Sequence, residues 1–185
     1  QKTDVMLASD NRKYMENISL SVNRLGSLVN DILEVSRLED NRIPINILIV
    51  DPEPLIRGCI EEMKSEIIRK GLTLNFFPLN IRPIKADPER LKQVVINLIS
   101  NSIKYTPKGK IDVTLATKDD VMQIIIADTG IGISAEEQAN LFQKFYKIQN
   151  EHTKNVESTG LGLWIAADLT RRMNGKITVE SIGGV

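Results

Sequence analysis

Asn97-Leu-Ile-Ser-Asn101-Ser-Ile-Lys104-Tyr105 is the stretch on which the reading of this chain turns. It closes an apolar-periodic segment opened by Asp87-Pro88, a capping carboxylate followed by proline at the first helical position. On a helix, Leu91, Val95, Leu98 and Ile99 share one face. Asn97, Asn101 and Lys104 stand at i, i+4 and i+7 on another. Asparagine is a poor residue for a helix interior, so two in register ask for a reason. One reason is a solvated face. The other is a pocket wall, because an amide oxygen is a hard, neutral ligand suited to Mg2+ and a lysine offers a point charge to phosphate.

Three further blocks follow in order. Asp128-Thr-Gly130-Ile-Gly132 ends an apolar strand with a carboxylate that can accept a hydrogen bond from an amino group. Alone, this pattern also suits a calcium loop or a plain turn. Phe142-Gln-Lys-Phe145-Tyr146 places two phenylalanines three apart on a short helix, a spacing that serves core packing as well as a lid anchor. Gly160-Leu161-Gly162-Leu163 opens a helix, where exposed N–H groups and the helix dipole favour an anion. No Gly-x-x-x-x-Gly-Lys-Ser/Thr sequence occurs, which excludes a P-loop NTPase.

In their order, the four blocks resemble the N, G1, F and G2 boxes of sensor histidine kinases, which share an ATPase group with DNA gyrase B, the Hsp90 chaperones and MutL. The resemblance covers nearly the whole chain. It implies an α+β fold, a two-layer α/β sandwich of the Bergerat ATP-binding type preceded by a long helix from a dimerisation bundle. It implies ATP and Mg2+ as cofactors, with Asn101 as the magnesium ligand, Lys104 on the phosphates and Tyr105 beside the nucleotide. Asp128 would accept from the adenine amine, with Gly130, Gly132 and Ile133 close to the base. Phe142 and Lys147 would border a lid, and Thr159, Gly160, Leu161, Gly162 and Leu163 would hold phosphate. The candidate catalytic residues are Asn97, Lys104 and Lys147. Asn97 stands where the gyrase and Hsp90 branch carries a water-activating glutamate. An amide cannot act as a general base, so this position favours transfer to a protein over steady hydrolysis. Lys147 stands where the family often has arginine and supplies charge without a bidentate grip.

The remaining elements are read outward from these blocks. Residues 12–39 are predicted as one helix with Asp10-Asn11 as its N-cap, and with apolar residues at Met15, Ile18, Val22, Leu25, Leu28, Val29, Ile32 and Val35. It is either an ordinary amphipathic helix or half of a helical hairpin in a dimeric bundle. Leu28-Val-Asn-Asp-Ile-Leu-Glu-Val-Ser-Arg-Leu-Glu39 resembles the second dimerisation helix of the family. Two domains are expected, 1–43 from the dimerisation hairpin and 44–185 as the catalytic ATP-binding domain, with a final strand missing. Strands are expected at 45–50, 72–77, 84–86, 110–117, 121–127 and 176–181. Helices are expected at 53–69, closed by Gly71, at 88–104, and at 160–173. A capping box at Ser134–Glu137 precedes a short helix, and an Asp119-Asp120 turn joins two strands. The polar stretch from Lys147 to Ser158 is read as the lid.

Composition bounds the alternatives. A net charge of zero and a pI near 6.8 give nucleic-acid binding no electrostatic support. No apolar run reaches membrane-span length, so no membrane contact is expected. The single cysteine, Cys59, lies in an apolar helical pattern and reads as a buried thiol in a reducing, cytoplasmic compartment, with any membrane anchor of the parent protein outside this chain. The acceptor pattern Ser-His-Glu-Leu-Arg-Thr-Pro is absent and the only histidine, His152, falls in the expected lid. The resemblance therefore implies the catalytic region of a protein-histidine kinase without its acceptor. Its expected partners are a response regulator receiver domain and, in the full-length protein, a second copy joined through the helical bundle. Two other functions fit the same pocket less well. A hydrolytic ATPase clamp is disfavoured by Asn97, and a non-catalytic nucleotide-binding dimer scaffold by the four intact blocks.

Overall fold

The computed structural model describes residues 2–40, 42–79, 82–118, 121–148, 153, 154, 156 and 158–183. The chain divides into two compact units, Gln1–Arg42 and Ile43–Val185. The first is one helix, α1 (Lys2–Glu39), so the helix does not begin at Asp10-Asn11. An Asp-Asn pair caps only where the chain turns, and good helix formers at Met6, Leu7 and Ala8 carry the helix through it. Tyr14, Ile18, Val22, Leu25, Val29 and Ile32 are exposed along α1 at intervals of three and four.

In the second unit the order is β1 (Leu48–Val50), α2 (Pro52–Lys70), β2 (Thr73–Pro78), β3 (Ile84–Ala86), α3 (Pro88–Tyr105), β4 (Lys110–Lys118), β5 (Val121–Asp128), α4 (Ala135–Gln138) and α5 (Gly162–Arg172). Helix starts follow local chemistry. The Asp51 side chain accepts from the Glu53 N–H, and that of Asp87 from the N–H groups of Glu89 and Arg90. Gly71 adopts the left-handed conformation and its N–H returns to the carbonyls of Ile67 and Ile68, which ends α2. Ser134 and Glu137 form the reciprocal capping box of α4, and the Ser134 hydroxyl and N–H hold the Glu137 carboxyl below its usual range.

The main sheet has the order β2-β4-β5, and it mixes directions. The hairpin-linked pair β4–β5 is antiparallel, while β2–β4 is parallel, joined through β3 and α3. In these registers Leu74, Phe76, Ile111, Val113, Leu115, Ile124 and Ile126 share one face. That face packs with Ile56, Cys59 and Ile67 of α2 and Leu91, Val95, Ile99 and Ile103 of α3 in a single core. This is the expected α+β arrangement of helices on a sheet.

Two expected strands differ. β1 covers only Leu48–Val50 because its partner β3 is three residues long. At Asp87, which follows β3, the partner strand gives way to a helix cap. The Asn46 N–H, two residues beyond the ladder, donates to Asp87 Oδ2 at 2.8 Å instead. Residues 176–181 keep the alternating exposure of a strand, yet no ladder forms there among the described residues. The Ser181 side chain and carbonyl instead bond the loop before α4 and α4 itself, accepting from the Ile133 N–H and from Gln138 Nε2. The Asp119-Asp120 turn and His152 lie outside the described residues.

Candidate functional site

Strand parity decides where Asp128 stands. Val113 pairs with Ile126 and Ile111 with Asp128, so the last residue of β5 lies on the same face as the core, beside the C-terminal half of α3. There Ser102 of α3, 7% exposed, donates its hydroxyl to Asp128 Oδ2 at 2.8 Å. The other oxygen, Oδ1, accepts the Gly130 N–H at 3.0 Å. The next N–H, of Ile131, donates to the Tyr105 carbonyl at 3.2 Å. A Cβ on Gly130 would lie 2.5 Å from that carbonyl oxygen, so this turn admits only glycine against the end of α3.

The glycine turn before α5 meets the same helix. Asn97 Nδ2 donates to the Gly162 carbonyl at 3.2 Å. Helix α5 starts at Gly162 rather than Gly160, because Gly160 sits at φ 76°, outside the helical region. Its carbonyl accepts the Phe145 N–H at 2.9 Å, and a Cβ there would lie 2.8 Å from the Phe145 carbonyl carbon. Phe145 itself holds φ 62°, unusual for an aromatic residue. No side chain caps α5, and Thr159 Oγ1 accepts from Leu161 N–H just ahead of it. The opening N–H groups of α5 therefore have no side-chain cap to compete with an anion.

The structure brings Asn97 to Gly162, and Tyr105 to the Asp128–Gly130 turn, at two places along α3, while Gly160 lies against Phe145. Asn101, Lys104 and Tyr105 are half-buried on the last turns of α3. Lys70 of α2 donates Nζ to the carbonyls of Ile103 at 2.6 Å and Lys104 at 3.0 Å, pinning that end of the helix. No hydrogen bond from another described residue occupies the Asn101 amide. Among the described residues no cluster of three His, Cys, Asp or Glu side chains could hold a metal. A divalent ion here would take its ligands from phosphate oxygens and the Asn101 amide oxygen, a donor set that suits Mg2+. Gly132, at φ 69°, and half-buried Ile133 continue the turn after Gly130. Leu161 is fully buried and Leu163 is half-buried.

Phe142 is half-buried, but neither it nor Phe145 lies on a helix, since α4 ends at Gln138. The left-handed backbone of Phe145 is incompatible with a continuing helix. Lys147 is exposed, and no hydrogen bond or ion pair joins it to the other named residues. The sequence reading missed two groups. Ser102 hides in the apolar stripe at i+3 from Ile99, and a polar residue on a core face was its only signal. Lys144 lies over the Trp164 ring at 4.3 Å, joining the segment before the expected lid to α5.

Comparison with known proteins gives the following. The family model described as histidine kinase-, DNA gyrase B-, and HSP90-like ATPase matches residues 86–184. The aerobic respiration control sensor protein ArcB of Escherichia coli K12 is 30% identical over 185 residues, covering 98% of this chain and 24% of ArcB. The chain thus spans about a quarter of the length of that relative. Among solved structures, full-length ShkA in complex with AMPPNP superposes with a TM-score of 0.79 at 30% identity, covering 94% of this chain and 36% of ShkA. The histidine kinase ThkA in complex with the response regulator TrrA gives 0.71 at 26% identity, with 88% and 45% covered.

Proposed function

The chain belongs to the histidine kinase-, DNA gyrase B-, and HSP90-like ATPase family, and from that premise we propose that it is the ATP-binding catalytic region of a sensor histidine kinase. The observation that carries this reading is that one helix, α3, engages both glycine turns. Asn97 reaches the Gly162 carbonyl, while Ser102 and the Tyr105 carbonyl reach Asp128 and Ile131. Blocks far apart in sequence thus both meet α3, with a base acceptor toward its C-terminal end and a phosphate-binding helix start nearer its middle.

In this reading Asp128, an acceptor, takes the adenine amine. The N–H groups opening α5 and the Lys104 ammonium take phosphate. Asn101 would hold Mg2+, which when bound neutralises phosphate charge during transfer. Asn97 keeps the phosphate turn seated on α3 and offers no base to activate water. Its amide supports transfer to a protein side chain over hydrolysis. Lys147 adds charge from the lid side, and Phe142 anchors that segment through packing. Residues 1–43 belong to a dimerisation hairpin and 44–185 to the catalytic domain. The exposed apolar stripe of α1 supports a bundle with a second copy. The acceptor histidine belongs to that hairpin, and the phosphate then passes to an aspartate on a response regulator receiver domain. The ThkA complex with TrrA supports a partner of that kind. Among the described residues no helix is long and apolar enough to cross a membrane.

The test is calorimetric titration with ADP and ATP, followed by incubation of the chain with γ-labelled ATP and a separately supplied acceptor helix. Acid-labile label on the acceptor histidine is expected. Steady release of inorganic phosphate without transfer would favour the hydrolytic reading instead.

A further inference from the structure

We propose that Ser102 is a positioning residue that aims the Asp128 carboxylate, and that this hydroxyl sets how strongly the site prefers a base with an exocyclic amino group. The inference rests on the reading of Asp128 as the base acceptor.

A serine on the core face of α3, between Ile99 and Ile103, is costly unless its hydroxyl finds a partner. The partner is Asp128 Oδ2 at 2.8 Å. With Oδ1 engaged by the Gly130 N–H at 3.0 Å, each carboxylate oxygen holds one donor. Two donors on opposite oxygens stop rotation of the group about its Cβ–Cγ bond. The two donors come from different elements, a helix and a turn, so the carboxylate plane is referenced to both. Asp128 is otherwise exposed, and its remaining lone pairs are open to one further donor. An amino group satisfies that geometry, whereas a ring carbonyl in its place would face another acceptor. Without Ser102, one oxygen loses its tether and the carboxylate can turn toward water. Discrimination should then fall, although the acceptor itself remains.

The experiment measures binding of ADP and of purine ribonucleoside 5′-diphosphate, which lacks only the 6-amino group, to this chain and to its variants by calorimetry. The unsubstituted chain should prefer ADP. In Ser102→Ala that preference should fall by about five- to tenfold, the scale of one ordinary hydrogen bond. The loss should fall on ADP, while the affinity for the purine analogue stays unchanged. Ser102→Thr, which keeps the hydroxyl, should restore the preference. Ser102→Cys, close in volume and a much weaker donor, gives the same comparison if the alanine variant folds poorly. Retention of the full preference in Ser102→Ala, or equal weakening of both ligands, would overturn the positioning role. Equal affinities of the unsubstituted chain for the two ligands would instead sink the reading of Asp128.

Discussion

Asn97 on α3 and Gly162 at the first turn of α5, 65 residues apart in sequence, meet through a 3.2 Å hydrogen bond from the asparagine amide to the glycine carbonyl. The donor in this pair must be an N–H, since the carbonyl can only accept. Asn97→Glu replaces that donor with a carboxylate facing a carbonyl oxygen. It should lower unfolding stability by about 1–3 kcal/mol and give no gain in phosphate release. Thermal unfolding and a steady-state phosphate assay check both parts. Faster ATP hydrolysis in a stably folded Asn97→Glu would show that the position is free to act as a base.

Asp128→Asn exchanges an acceptor oxygen for an amide that can present NH2 toward the base or toward the Gly130 N–H. ADP affinity should drop by about 1–3 kcal/mol. Unchanged calorimetric affinity would remove Asp128 from the pocket.

The variant Asn101→Ala should leave nucleotide binding in place and abolish most of its dependence on magnesium. Titrations with ADP in the presence of magnesium and in excess chelator give the comparison. A mutant that keeps the full magnesium effect has lost no ligand.

Phe145 adopts φ 62° while 60% exposed, so its ring is little used for packing and its backbone is unfavourable. Asparagine tolerates the left-handed region better. Phe145→Asn should stabilise the chain by about 0.5–1 kcal/mol, read as a rise in denaturation midpoint. Gly160→Ala should do the opposite, because its φ of 76° and the nearby Phe145 backbone both resist a Cβ.

Cys59 is fully buried, and that burial, aided by Glu62, pushes its thiol up from 9.0 to about 11. The folded state thus favours the neutral thiol. The associated stability is complete below about pH 9 and is lost as pH rises toward 11, by up to about 1.4 kcal/mol per unit. The stability difference between the unsubstituted chain and Cys59→Ala should shrink across that window. A difference that stays constant from pH 8 to 11 would contradict it.

How much of this was legible in the sequence depended on whether the signal was local. Asp87-Pro88, Gly71 and the Ser134–Glu137 box determine their own backbone within a turn, and each element appeared where they place it. The stripe of Leu91, Val95 and Ile99 identified the buried face of α3. What failed depended on partners elsewhere. The ladder of β1 ends where β3 does, and residues 176–181 alternate like a strand but find no ladder among the described residues. Asp10-Asn11 looks like a cap only if the chain turns there. The parallel β2–β4 pair was not anticipated, because nothing between Pro78 and Lys110 announces the return of the chain. For the site, the glycines and amides were legible as types in order. Ser102 was not, since its role exists only once β5 brings Asp128 alongside.

The bond between Asn97 and Gly162 also bears on how the protein is made. A ribosome delivers α3 well before α5, and the parallel ladder of β2 with β4 can form only after the segment between them has emerged. Until Gly162 arrives, the helix start proposed to take phosphate does not exist, while the Asp128 end can already fold. A nascent chain should therefore gain protection from nucleotide late and in one step, when α5 docks.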